Sequence, residues 1–320
     1  MDEKKYSEEE HIKKFVEQQE GNKSSNEKQS SLLSDTSDVP KPWLKTKEHV
    51  SLANQIGWQE IDLGDLPTQG LFYPEGTEIV IRAAESKEIR HWSTIDENDL
   101  AKLDDMLNFV LERCVKIKFP EGQRSTWMDL KEVDRFYLIL AVSEYTFIKS
   151  GNKLKVKISE TKSMDVTKEM VDYINLDQEL MEYYDPKLRL FSIKLPDDSE
   201  LRVTLPSVGV TNWLKKYVIR QKRNNEQIDE DFVNFAPLVI LDWRGLTELT
   251  YKNFVMESEE WSALRISLLS EIRQKLIESV EPVIKFTDEN GGERRLPLNF
   301  QGGIKSLFII SNPFGQLGRN

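Results

Sequence analysis

The run Leu66-Pro67-Thr68-Gln69-Gly70-Leu71-Phe72-Tyr73-Pro74-Glu75-Gly76 limits what this chain can fold into more than any other stretch. Pro67 and Pro74 each fix φ and drive the residue before them into an extended conformation. Gly70 and Gly76 supply positive φ where the backbone has to turn back. Leu71, Phe72 and Tyr73 are thereby held between two rigid corners as a compact apolar plug. Such a plug either fills a small core or docks on a partner. Both roles are open to Phe72 and Tyr73, and a tyrosine with a polar tip serves in both at once. The run 77–82 then puts Ile79 and Ile81 on one face and Glu78 and Val80 on the other, which predicts a short strand.

Residues 1–56 are poor in apolar side chains and rich in Glu, Lys, Ser, Asn and Gln, so they cannot bury enough surface to fold alone. They are expected to form a disordered tail with two segments that could dock on a partner, the first of which reads rather as a transient helix within the tail. One is 11–19, with Ile12, Phe15 and Val16 at helical spacing; the other is the extended 39–44, where Trp43 is a candidate anchor for a partner's pocket.

The compact part begins near Trp58. One or two helical turns are expected over 85–92. A helix over 99–115 follows, capped by Asp96 or Asn98 and carrying Met106, Leu107, Val110, Leu111 and Cys114 on one stripe. A helix over 128–146 is apolar around most of its circumference and reads as the central buried helix. Asp134 and Arg135 interrupt it and read as its solvent-facing edge.

From Lys153 the texture changes. The alternation 154–158 pairs with 163–166, 168–184 reads as helical, and 188–195 with 200–205 makes a hairpin across Pro196-Asp197-Asp198-Ser199. Helices are expected from Ser207 to about 224, over 229–241 with a kink at Pro237, and over 257–280. The last has Trp261, Leu264, Leu268, Ile272, Leu276 and Val280 as its inner stripe. A second hairpin, 282–286 with 294–298, turns at Asn290-Gly291, and 304–310 is apolar enough to pack. The fold class is α+β. A helix-rich domain with a small strand element occupies 57–152, and a mixed domain of β-hairpins and helices with a short C-terminal tail occupies 153–320.

A net charge of −11 argues against a general nucleic-acid binder. The single cysteine, Cys114, excludes a disulfide framework or a Cys-based zinc site within one chain and is expected to be a small buried hydrophobe. No apolar run approaches the ~18 residues of a membrane span, and the N-terminus lacks the apolar core of a signal peptide, so a reducing cytoplasm is the expected compartment. HExxH, GxSxG and GxxxxGKS/T are absent. His11, His49 and His91 are scattered, Asp104 and Asp105 do not face one another on a helix and read as solvating, and Gly291-Gly292 and Gly302-Gly303 lack the strand-to-helix setting of a phosphate loop. No acid, base and nucleophile converge, so a non-enzymatic protein without cofactor or metal is expected.

One cluster suits phosphates: Lys215, Lys216, Arg220, Lys222 and Arg223, with Trp213 and Tyr217 beside them. It gives the alternative reading of a nucleic-acid-associated accessory protein using 213–224. The same charges also complement a helix C-terminus, or an acidic protein partner.

The Leu-Pro-x-x-Gly-x-x-Tyr-Pro turn, its short strand and the Lys87-Glu88 helix start resemble the T4-type bacteriophage baseplate hub family. The helix carrying Asp134-Arg135-Phe136-Tyr137-Leu138-Ile139-Leu140 and then Ser143-Glu144-Tyr145 is similar to that family's aspartate-arginine helix. The resemblance covers about residues 66–150, and the ribbon Asn290-Gly291-Gly292 followed by Leu296-Pro297-Leu298 adds to it. Relatives carry Cys-x-x-Cys in that ribbon. This chain has no cysteine there, so no metal is assigned. The resemblance implies a structural or assembly protein of a contractile tail, a permanent hub subunit or a chaperone, acting on other baseplate or tail proteins in the host cytoplasm and in the virion baseplate. Trp43, Phe72 and Tyr73 are the partner-contact candidates in that setting.

Overall fold

Strand β2 (Glu78–Arg82) is the centre of a three-stranded antiparallel sheet, flanked by β1 (Trp58–Ile61) and β3 (Val115–Lys118). Ile79 lies opposite both Ile61 and Ile117, and Ile81 opposite Val115, so one face is a continuous apolar patch. Val80, on the other face, is buried as well, which is the signature of a strand covered on both sides. The computed structural model describes residue 52 and residues 56–93, 100–120, 124–148, 154–157, 163–279, 283–287 and 291–297. The expected tail with its segment 11–19 and Trp43, the caps Asp96 and Asn98, and the run 304–310 lie outside the described residues.

Helices α1 (Ser86–Ser93) and α2 (Leu100–Cys114) follow β2, and α2 buries Leu107, Val110, Leu111 and Cys114 as its spacing predicts. Val115 starts β3 directly after α2, and Val115 and Ile117 alternate inward. The expected helix 128–146 is shorter. Its first third is two 3-10 turns, Trp127–Asp129 and Glu132–Asp134, and α3 (Arg135–Thr146) begins only after them. Thr126 and Asp129 close a capping box on the first turn, and Lys131 then forms an antiparallel bridge to Ser207 that draws the backbone off the helical path. Leu138 through Val142 are all buried, so α3 is the central helix.

Strands β4 (Leu154–Lys157) and β5 (Ser163–Val166) pair as expected. The run 168–184 is not one helix. It holds a 3-10 turn (Lys168–Met170), an extended stretch, the four-residue α4 (Gln178–Met181) and β6 (Tyr184–Asp185). Its backbone donors go outward: Ile174 N–H to the Pro67 carbonyl (2.8 Å) and Asn175 N–H to that of Ser279 (3.0 Å). Strands β7 (Leu190–Lys194) and β8 (Glu200–Val203) form the expected hairpin, with β6 as a third strand.

Ser207 caps α5 (Val208–Asn224), and Asp229 caps α6 (Glu230–Val239), which holds Pro237 in its last turn. The expected helix 257–280 is two elements. Helix α7 (Glu248–Glu259), with Thr247 as its cap, was not anticipated, and α8 (Ala263–Ser279) starts six residues later than the pattern suggests. Leu269, Ile272 and Leu276 face inward from α8, while Leu264 is exposed. Strands β9 (Val283–Thr287) and β10 (Glu293–Pro297) make the last hairpin.

The fold is α+β, with several small antiparallel sheets among helices. Its buried apolar side chains form two clusters that do not follow chain order. The first surrounds β1–β3, α2 and α3, and takes in Val171, Val208 and Ile284. The second lies among β7, β8 and α5–α8, and takes in Phe72. No described helix is long and apolar enough to cross a membrane.

Candidate interaction site

The proline- and glycine-bounded run folds as consecutive tight turns. Gln69 N–H donates to the Leu66 carbonyl (2.7 Å), Leu71 N–H to that of Thr68 (3.1 Å) and Tyr73 N–H to that of Gly70 (3.2 Å). Gly70 takes φ +73°, and a Cβ there would lie 3.0 Å from that of Leu63, so both conformation and space call for glycine. Coiled in this way, the turns bring Thr68 and Tyr73 onto one carboxylate. Asp134 accepts from the Thr68 N–H (2.9 Å), the Thr68 hydroxyl (2.8 Å) and the Tyr73 hydroxyl (2.8 Å). The Tyr73 oxygen in turn accepts from the Lys131 N–H at 2.9 Å.

Asp134 and Arg135 are therefore not a solvent-facing edge; both are buried, at 0% and 2% exposure. The Asp134 carboxylate is tolerated at the start of an apolar helix because three donors are aimed at it. Burial still wins: it pushes the Asp134 carboxyl up to about 6, although the Thr68 and Tyr73 donors and Lys131 pull the other way. Burial and the neighbouring Asp134 charge together raise the Tyr73 phenol well above its ordinary value.

Arg135 points the other way. It donates to Asp104 Oδ1 (2.7 Å), the Asp104 carbonyl (2.9 Å) and Glu132 Oε1 (3.0 Å). Lys215 Nζ reaches the same Asp104 oxygen at 2.9 Å, so one carboxylate ties α2, α3 and α5 together. Asp104 is thus a junction residue and not a solvating one. Burial alone would raise its carboxyl, but Arg135 and Lys215 hold it below the ordinary value.

Beside the turn opens a cleft of about 340 Å³ walled by Phe119 and by segments 72–74, 124–131, 188–190, 204–207 and 241–244. Lys131 Nζ lines it and donates to Thr204 Oγ1 (3.2 Å) and the Leu205 carbonyl (3.0 Å), while burial lowers its pKa to about 8. Asp129 accepts from Trp243 Nε1 (2.9 Å) and from Arg244 (2.5 Å), whose guanidinium lies 4.8 Å from the Trp243 ring centre. The Trp243 ring rests on the first turn of α5 at Gly209, where a Cβ would come within 2.4 Å of it.

The residues singled out from the sequence separate here. Phe72 is a core side chain at 4% exposure, packed on Phe191 and Tyr184 with ring centres 5.6 and 6.0 Å away. Tyr73 is also core at 1%, so of the two roles open to this pair the structure gives the internal one. Trp213 is half-buried, stacked on Tyr217 and edge-on to Phe232, which is a packing role. The basic cluster is divided. All five cations are exposed, but Lys215 is paired with Asp104 and Arg220 with Glu248. Cys114 is buried as expected, and burial pushes its thiol up to about 12.

Among the described residues no group of three or more His, Cys, Asp or Glu is placed to hold a metal. The sequence reading passed over Lys131, Asp129, Trp243 and Arg244. Its one usable signal for them was Gly209 in the first turn of a helix. Comparisons with protein-family models, with curated proteins and with solved structures found no match.

Proposed function

We propose that this protein is a non-enzymatic structural or assembly component of a contractile phage tail baseplate hub, acting through contacts with other baseplate or tail proteins. One observation carries the reading. The two stretches that bear the resemblance, the Leu66–Pro74 turn and the helix opening at Asp134-Arg135, are bonded directly to each other through the three donors on Asp134. Residues far apart in the chain that share a family pattern are thus the ones on which the fold is pinned. A protein of this kind presents surfaces and turns nothing over, which fits a site whose carboxylates Asp129 and Asp134 are occupied in holding segments together. The protein is made in the host cytoplasm and acts there during assembly, with the virion baseplate as its destination if it is a permanent subunit.

Quantitative mass spectrometry of purified tailed particles and of the infected-cell lysate tests this. A few fixed copies per particle identify a permanent hub subunit. Presence only in the lysate, bound to tail proteins, identifies an assembly chaperone. Absence from both tail fractions overturns the reading. The nucleic-acid alternative loses weight from the engagement of Lys215 and Arg220 with acidic side chains.

A further inference from the structure

We infer that the cleft beside the Leu66–Gly76 turn is a docking site for a short acidic segment of a partner protein that carries one large apolar anchor. The inference gives the chemistry of a partner to the proposed function and rests on that reading only for the partner's place in a tail. Charge is the first argument. The chain carries −11 overall, yet this cleft is lined by four cations, Arg124, Lys131, Arg189 and Arg244, against two carboxylates. Both carboxylates are already engaged by one of the cations: Arg244 holds Asp129 at 2.5 Å and Asp242 at 3.2 Å. Arg124 and Arg189 have no carboxylate within ion-pair distance among the described residues, and two of the three ammonium donors of Lys131 are in use. A surplus of positive charge in a strongly acidic protein steers and holds an acidic partner.

Apolar surface is the second argument. Leu188 and Leu241 line the cleft and stand 46% and 50% exposed, above an aromatic floor that includes Phe119 and Trp243. Such groups contribute most when a partner side chain covers them in a desolvated pocket. A volume of about 340 Å³ suits one anchor side chain with its adjacent backbone and not a folded domain. The walls are also fixed in advance. The Lys131–Ser207 bridge, the Trp243–Asp129 bond and the Gly209–Trp243 contact hold them, so little ordering cost is left for binding. A phosphate backbone would use the cations but leave the leucine lips uncovered, and the protein's overall charge repels it.

The test uses the full-length protein on an array of ten-residue peptides. One set places a single Leu or Phe among Asp and Glu, a second replaces the acids by Lys, and a third keeps the acids but replaces the anchor by Ser. The first set is expected to bind at least tenfold more tightly than either other set. That binding should weaken at least tenfold in the double variant Arg124→Glu/Arg189→Glu and, separately, in Leu188→Asp, each with an unchanged thermal midpoint. Absence of binding, no preference for the acidic anchored set, or binding indifferent to both variants overturns the inference. Tighter binding of a twelve-nucleotide single strand, lost in the double variant, overturns it in favour of a nucleic-acid site. Failure here with the chain present in tail particles removes the cleft proposal alone, and success here with the chain absent from them removes only the baseplate reading.

Discussion

Replacing Asp134 by Asn sets two opposed effects against each other. The carboxylate receives three donors at 2.8–2.9 Å, which favour its charged form. It is also fully buried, which favours the neutral form, and the balance leaves it at about 6 against an ordinary value of 3.8. A carboxyl whose folded pKa is raised binds protons more tightly in the folded state, so its contribution to stability is present below about pH 4 and is lost as pH rises through about 6. The gap between those values corresponds to roughly 3 kcal/mol. Asparagine is a neutral isostere and does not titrate. It faces the Thr68 and Tyr73 hydroxyls with an amide that donates, at a fixed cost of about 1–3 kcal/mol. Urea denaturation of both proteins from pH 4.5 to 7.5 therefore should show the variant clearly weaker at the acid end. The difference should shrink or reverse toward pH 7.5, moving by about 2 kcal/mol in the variant's favour. A difference that stays flat, or that grows with pH, would mean that the three donors outweigh burial, and would refute the reasoning.

Three further outcomes follow from other contacts. Arg135→Ala strips the cation from the partly buried Glu132 and from Asp104 and should cost about 3–5 kcal/mol, whereas Lys215→Ala, at a side chain 43% exposed, should cost under about 1 kcal/mol, both read by urea denaturation. Gly209→Ala forces a Cβ to within 2.4 Å of the Trp243 ring and should destabilise by about 1–3 kcal/mol, with a lowered thermal midpoint in calorimetry; an unchanged midpoint would show the ring free to move. Cys114, buried and with its thiol pushed up to about 12, should react negligibly with a thiol reagent at pH 8 in the native protein and fully in urea, so stoichiometric native labelling would contradict its placement.

Local chemistry made much of this molecule legible from the chain. Alternation in 77–82, 154–157 and 190–203 marked strands because the side-chain period of a strand is two. Ser207 and Asp229 marked helix starts because their side chains satisfy backbone donors that a first turn leaves open. Gly70 and Gly76 marked turns because φ is positive at both. The α+β class follows from such signals added together. The failures have a common cause. The 3-10 turns before α3 and the opened stretch 171–177 exist because their backbone groups bond to Pro206, Val208, Pro67 and Ser279, partners that no local window contains. Asp134 read as surface because a carboxylate in isolation belongs in water; only the folding of Thr68 and Tyr73 onto it, more than sixty residues away in sequence, makes its burial tolerable. The sequence by itself thus determined which segments are helix, strand and turn wherever their hydrogen bonds close locally. Which charges are buried, which aromatics are core, and that a basic cleft exists in an acidic protein were decided only by tertiary structure, because desolvation and charge pairing depend on neighbours that the fold supplies.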